Sequence, residues 1–213
     1  MTNTSFHSFR DRTKVALRSQ DATRMLRIIE DIEEYVRCNR TPADMLEFGS
    51  FCDFLLRHDG YWKLANHQEI SSKLCHCTFR QPKWEAVRSI IAKGFANAIA
   101  KAENLDEYNS ELDFLTFSLS NVDTVRLLDL LRRDGRLSVK DFYAYCSTVI
   151  PHADSSAALN AVADSLDDIA KNAKSGDISM LDGLNHILGA IDYRLRLMAD
   201  PNLENLRPEF RWP

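Results

Sequence analysis

The sequence predicts an all-α protein, a compact bundle of about ten helices joined by short loops. Three observations lead there. Apolar residues recur at three- and four-residue intervals over most of the chain, the spacing of one helix face. Only seven Gly and six Pro interrupt 213 residues, and 45% of the residues are apolar, enough for a substantial core. Leu, Ala, Arg, Asp and Glu dominate, while β-branched runs are scarce. Predicted helices start about every 19 residues, the rhythm of a short α-solenoid of helix pairs as well as of a bundle. No internal self-similarity accompanies that rhythm, and the bundle is the preferred reading.

Taken in order, residues 6–18 form a short, basic, weakly amphipathic helix. Asp21 caps a second, whose stripe is Met25, Ile28, Ile29, Ile32, Tyr35 and Val36. Thr41-Pro42-Ala43-Asp44 starts a third, with Pro at the first helical position and an acid at the third. Its face is Met45, Phe48, Phe51, Cys52 and Leu55, and Asp59-Gly60 is expected to end it. Residues 61–77 read as one helix of poorer periodicity. Gln81-Pro82 opens the most regular helix, with Trp84, Val87, Ile91, Phe95, Ala98 and Ala102 inward. A shorter helix over 106–119 follows.

The best-marked pair comes next. Val122, Val125, Leu128 and Leu131 define a helix that Asp134-Gly135 stops. Ser138 starts its partner as N-cap, with Asp141 three residues on, and Pro151 is expected to end it. Asp154 or Ser155 caps a long helix with Leu159, Val162, Leu166, Ile169 and Ala173 inward. The last helix carries Leu181, Leu184, Leu188, Ile191, Leu195 and Met198 at heptad spacing. That spacing suits an ordinary core face, or a coiled-coil contact that would make a homo-oligomer through residues 181–198. Asp200-Pro201 stops this helix. No composition break marks a boundary, so residues 1–199 read as one helical domain and 200–213 as a tail without helical period.

Two stretches, Asp134 to Phe142 and Ser175 to Leu184, are similar to the second half of an EF-hand loop. The ligand positions of the first half hold Leu130 and Arg132 in one case, Lys171 and Ala173 in the other. Calcium needs six to eight oxygen ligands, and these residues supply none. A capped helix–turn–helix, used twice, is the expectation.

Metal and catalytic chemistry find little support. His67, Cys75, His76 and Cys77 come nearest to a zinc cluster, but on a helix Cys75 and Cys77 point about 200° apart. Asp164 and Asp168 share a helix face without the second pair of ligands that a metal centre needs. The chain has no GxSxG, P-loop, GxGxxG or HExxH. The acids Glu30, Asp31, Glu33 and Glu34 fit a solvated outer face. No cofactor is expected.

The formal charge is −4, which gives no overall attraction to nucleic acid or anionic membrane. Locally, residues 61–101 hold seven Lys or Arg against two acids, and 102–134 hold three against eight. The two segments either pair with each other or the basic one faces phosphates. Aromatics beside its charges (Tyr61-Trp62-Lys63, Phe79-Arg80, Lys83-Trp84) make Arg80, Lys83 and Arg88 the candidates for a nucleic acid or other polyanion. Trp84 heads an apolar stripe and reads as core.

Five Cys, an odd number without scaffold spacing, suit a reducing compartment, and the first residues lack the apolar core of a secretory signal. No stretch approaches the apolar length of a membrane span. A cytoplasmic, non-enzymatic interaction protein is the expectation, binding another protein through helix faces and through Leu203, Leu206, Phe210 and Trp212 of the tail.

Overall fold

Periodic apolar faces joined by short links leave helices one way to bury themselves, against one another. The computed structural model describes residues 6–38, 41–79, 84–118, 122–153, 155–172 and 178–200, and there the chain is an all-α, multi-helix bundle. Among the described residues it has eleven α-helices and no strand: α1 (Phe6–Ser19), α2 (Ala22–Cys38), α3 (Pro42–Leu56), α4 (Asp59–Trp62), α5 (His67–Phe79), α6 (Glu85–Ile99), α7 (Asn109–Ser118), α8 (Val122–Arg133), α9 (Val139–His152), α10 (Ser156–Asn172) and α11 (Ile178–Ala199). A 3-10 turn, Leu105–Tyr108, precedes α7. The chain divides into two compact units, residues 1–115 and 116–213. The division falls inside α7, in continuous helix without a Gly/Pro-rich linker, so composition carries no sign of it.

In unit 1, α2 packs on α5 and α3 on α6. Asn66 donates to the Ala22 carbonyl at 3.1 Å and Lys73 pairs with Glu30 at 3.4 Å, so α2 and α5 run the same way. Gly49 lies against Val87 and Ile90, and Gly94 against Leu56, so α3 and α6 are also parallel. A Cβ on Gly94 would lie 2.8 Å from the Leu56 Cβ, a closeness that only glycine permits. The core collects Phe9, Met25, Ile28, Ile32, Phe48, Phe51 and Phe95, all fully buried. Trp84 is 1% exposed, a core residue as its place in the stripe predicts.

Unit 2 repeats the scheme. Tyr143 donates to the Met180 carbonyl at 3.3 Å and Arg194 to the Ala153 carbonyl at 3.1 Å, so α9 and α11 run parallel. α8 and α10 are pinned near their C-terminal ends by Arg132 and Asp168, 2.7 Å apart. In this unit α8 packs on α10 and α9 on α11, as α2 packs on α5 and α3 on α6 in the first, although the sequences share no repeat.

Several capping signals act as the sequence predicts. Thr41 accepts from the Asp44 amide at 3.2 Å and Asp44 accepts from the Thr41 amide at 3.0 Å, a complete capping box. Asp21 accepts from the Arg24 amide and Ser138 from the Asp141 amide. Gly135 takes φ +72° after α8.

Four expectations need correction. Asp59-Gly60 does not end α3; α3 stops at Leu56, and the His58 ring accepts from the Gly60 amide to open α4. Residues 61–77 are not one helix: α4 closes at Trp62 and α5 begins at His67. The helix expected from 106 begins as the 3-10 turn, where Asn104 accepts from the Asp106 amide. Pro151 sits inside the last turn of α9 rather than ending it, since α9 runs to His152. Near a C-terminus, a proline's missing N–H removes one bond without breaking the helix.

Candidate functional site

The surface of unit 1 holds a groove of about 700 Å3 at the C-terminal ends of α3 and α6, across from α4 and the 3-10 turn. Its floor is apolar: Leu56, Gly94, Ala98 and Ala102, with Trp62 and Tyr108 as its aromatic wall. Gly94, Ala98 and Ala102 recur every four residues along one face of α6 and its extension, so the floor is low there. The Trp62 and Tyr108 rings are 5.6 Å apart, and the Trp62 indole donates to the Leu56 carbonyl at 3.0 Å, which fixes its orientation.

The rim is mixed. Arg57, Lys63 and Lys101 stand with Asp59 and Asn97. Arg57 pairs with Asp53 at 2.8 Å. Two helix C-termini each bring about half a negative charge to this end. With Asp53, Asp59 and those two ends, the three cations are roughly balanced. The cations therefore answer local negative charge and leave little surplus for a phosphate chain.

Behind the aromatic wall lies a buried polar cluster. His67 packs against Trp62 at 5.8 Å and Tyr108 at 5.5 Å. Its two ring nitrogens face the carbonyl oxygens of Leu64 (3.1 Å) and Glu107 (2.8 Å). The Tyr61 phenol lies 2.6 Å from the Ser71 hydroxyl and donates to the His67 carbonyl. Glu111 is fully buried, and neither carboxyl oxygen has a well-formed hydrogen bond among the described residues. The Ser71 hydroxyl is near enough to favour the Glu111 anion, but the Tyr61 phenol is its better-placed partner. Burial pushes the Glu111 carboxyl above its ordinary value, and pushes the Tyr61 phenol well up. Tyr61, Ser71 and Glu111 are closed to solvent and His67 is 7% exposed, so a substrate does not reach them.

The zinc candidates do not converge. Both His67 nitrogens are occupied by carbonyls, Cys75 is buried, and His76 is exposed. Among the described residues no three His, Cys, Asp or Glu side chains are placed to hold a metal ion. Burial raises the Cys75 thiol well above its ordinary value and the Cys77 thiol to about 12, so both are protonated at neutral pH. Asp168, one of the metal-carboxylate pair, is instead an arginine partner. Arg132 is only 10% exposed, donates to Asp129 and Asp168 at 2.7 Å each, and lies 5.7 Å from the Phe142 ring. The residue that breaks the EF-hand pattern is thus what ties α8, α9 and α10 together.

Of the polyanion candidates, Arg88 is half-buried and donates to the Thr78 carbonyl at 3.2 Å, near the end of α5. Arg80 and Lys83 lie outside the described residues, as do Leu203, Leu206, Phe210 and Trp212. Of the groove residues, Ala98 and Ala102 are expected from sequence only as part of an inward stripe and Trp62 only as an aromatic beside basic charges, while Asn97 and Tyr108 are not marked at all. Tyr61-Trp62-Lys63 in a segment of weak periodicity was the one available signal. No helix among the described residues is long and apolar enough to cross a membrane. No protein-family model matches this chain, and no curated protein or solved structure is similar enough to match it.

Proposed function

We propose that this chain is a protein-binding module, and that the unit 1 groove receives an apolar anchor from a segment of another protein. One observation supports the reading: an aromatic and small-residue floor surrounded by a rim whose charges nearly cancel. A fully buried anchor on such a floor supplies most of a typical interface's energy, while a mixed polar rim supplies orientation. A polyanion site needs surplus positive charge along its track, and this rim holds little.

The test places a photo-crosslinking residue at Asn97, exposed at the groove edge, in the full chain within its source cell. The expected adducts are proteins that persist after nuclease treatment. Ala98→Arg, which fills the floor, should abolish them while the thermal midpoint stays within a few degrees. Adducts that disappear with nuclease, or that persist in Ala98→Arg, would refute the groove reading; the first result would shift attention to the basic segment 61–101.

A further inference from the structure

The rim of the unit 1 groove is balanced in sum but not in pairs. Arg57 is taken by Asp53. Among the described residues Lys63 and Lys101 have no ion pair, and the Asn97 carboxamide has no hydrogen bond. All three are exposed. Asp59 is the one acid among the lining side chains, so these two lysines leave a surplus of one positive charge. The half-charges of the helix ends are spread over backbone carbonyls and fade within a turn, whereas a lysine ammonium is a point charge on a long flexible stem. Two such stems can close on a single carboxylate.

On the protein-binding reading of the groove, which this step presupposes, we infer that the anchor is a partner's C-terminal residue. Its apolar side chain lies on the floor, its terminal carboxylate between Lys63 and Lys101, and its peptide group against Asn97. Lys63 follows Trp62 of the wall, and Lys101 precedes Ala102 of the floor. Each cation is therefore one residue from a surface that touches the anchor. Asn97 and Lys101 share one row of α6 and its extension, beside the row of Ala98 and Ala102. A ligand that meets both lysines must carry its negative charge close to its anchor. A chain end does so, because both groups leave the same Cα. An acidic side chain next in sequence does not: it points to the opposite face of a strand, or about 100° around a helix. The Asn97 carboxamide offers donors and an acceptor, the match for a peptide group. Capture of a terminal carboxylate is a recurrent mode of peptide recognition. One charge also suits a rim that holds too little surplus for a phosphate track.

The experiment labels the full chain with 5-fluorotryptophan and follows the Trp62 signal, assigned by Trp62→Phe, during titration with three probes. N-acetyltryptophan carries anchor, carboxylate and peptide group; N-acetyltryptophanamide lacks the charge; indolepropionate lacks the peptide group. N-acetyltryptophan is expected to bind several-fold more tightly than either of the others. Lys63→Gln combined with Lys101→Gln should remove its advantage over the amide, as should high salt. Asn97→Ala should remove its advantage over indolepropionate. An unchanged Trp84 signal certifies the fold of each variant. Equal binding of acid and amide, or an advantage that survives loss of both lysines, overturns the chain-end inference while leaving the apolar groove intact. Equal binding of N-acetyltryptophan and indolepropionate assigns the site to free acids and overturns it too. A Trp62 signal that responds to no probe, or responds equally in Ala98→Arg, overturns the groove reading itself and the chain-end inference with it.

Discussion

Two carboxyl groups of this protein shift in opposite directions, Glu111 upward because it is buried and Asp168 downward because Arg132 donates to it. Glu111 has a raised pKa because desolvation outweighs its neighbours. Between the ordinary glutamate value and that raised one, the folded state holds more protons than the unfolded state. Stability therefore falls as pH rises through that window, and the cost is absent below it. Glu111→Gln should make the protein more stable by about 1 kcal/mol at pH 8, with the difference vanishing toward pH 4; urea titrations at the two pH values check it. Asp168 behaves in the other sense. Its hydrogen bond from Arg132 holds its carboxyl below the usual range, so its contribution is present above that range and lost on acidification. The thiols give a second test at this scale. Cys38 is exposed, while Cys52, Cys75 and Cys146 are buried and burial raises all three. A thiol reagent at pH 8 should modify Cys38 in a fast phase, the half-buried Cys77 more slowly because its thiol is pushed up to about 12, and the buried three only as the fold opens. A second fast thiol among the buried three would contradict this packing.

At the scale of elements, close approach and charge fix which helices pair. Gly94→Ala gains helix propensity but places its Cβ 2.8 Å from the Leu56 Cβ, an atom that cannot rotate away. Overpacking should prevail, with a net loss of about 1–2 kcal/mol seen as a lower urea midpoint. Arg132→Ala removes two hydrogen bonds to Asp129 and the tie to Asp168 but leaves Arg133 on Asp129 at 2.8 Å, and should cost about 1–2 kcal/mol. Arg132→Lys should recover less than half of that, because an ammonium cannot reproduce the fork that reaches both acids. The caps that open α3 and α9 were legible because a cap needs only residues three apart. The start of α4 at Asp59 was not, because His58, a histidine used as a cap, carries no ordinary start signal.

For the whole molecule, the two units give a test of independence. Mutations far apart without shared partners act additively and locally. Hydrogen exchange should show Gly94→Ala lowering protection in α3 and α6 while leaving α8–α11 close to wild type, and Arg132→Ala doing the reverse. Uniform loss of protection in both variants would mean that the units unfold as one. Parallel packing recurs in both units, of α2 with α5 and α3 with α6 in the first and of α9 with α11 in the second, although nothing in the sequence repeats. The architecture arises because short links force neighbouring helices to reverse, and buried faces then select which pairs stack.

Sequence alone determined the helical class, most helix positions, the capping boxes and turns, and the buried identity of Trp84, since all of these follow from spacing along one chain. Tertiary structure alone decided which faces stay open. The heptad row of α11 reads the same whether it is covered or not, and only the placement of α9 and α10 leaves Leu181, Leu188 and Leu195 exposed. The groove likewise joins residues from Leu56 to Tyr108, and its near-neutral rim depends on Asp53 and on two helix ends that the charge count of residues 61–101 does not include. A count of charge along the sequence sums neighbours in the chain, whereas a ligand meets neighbours in space.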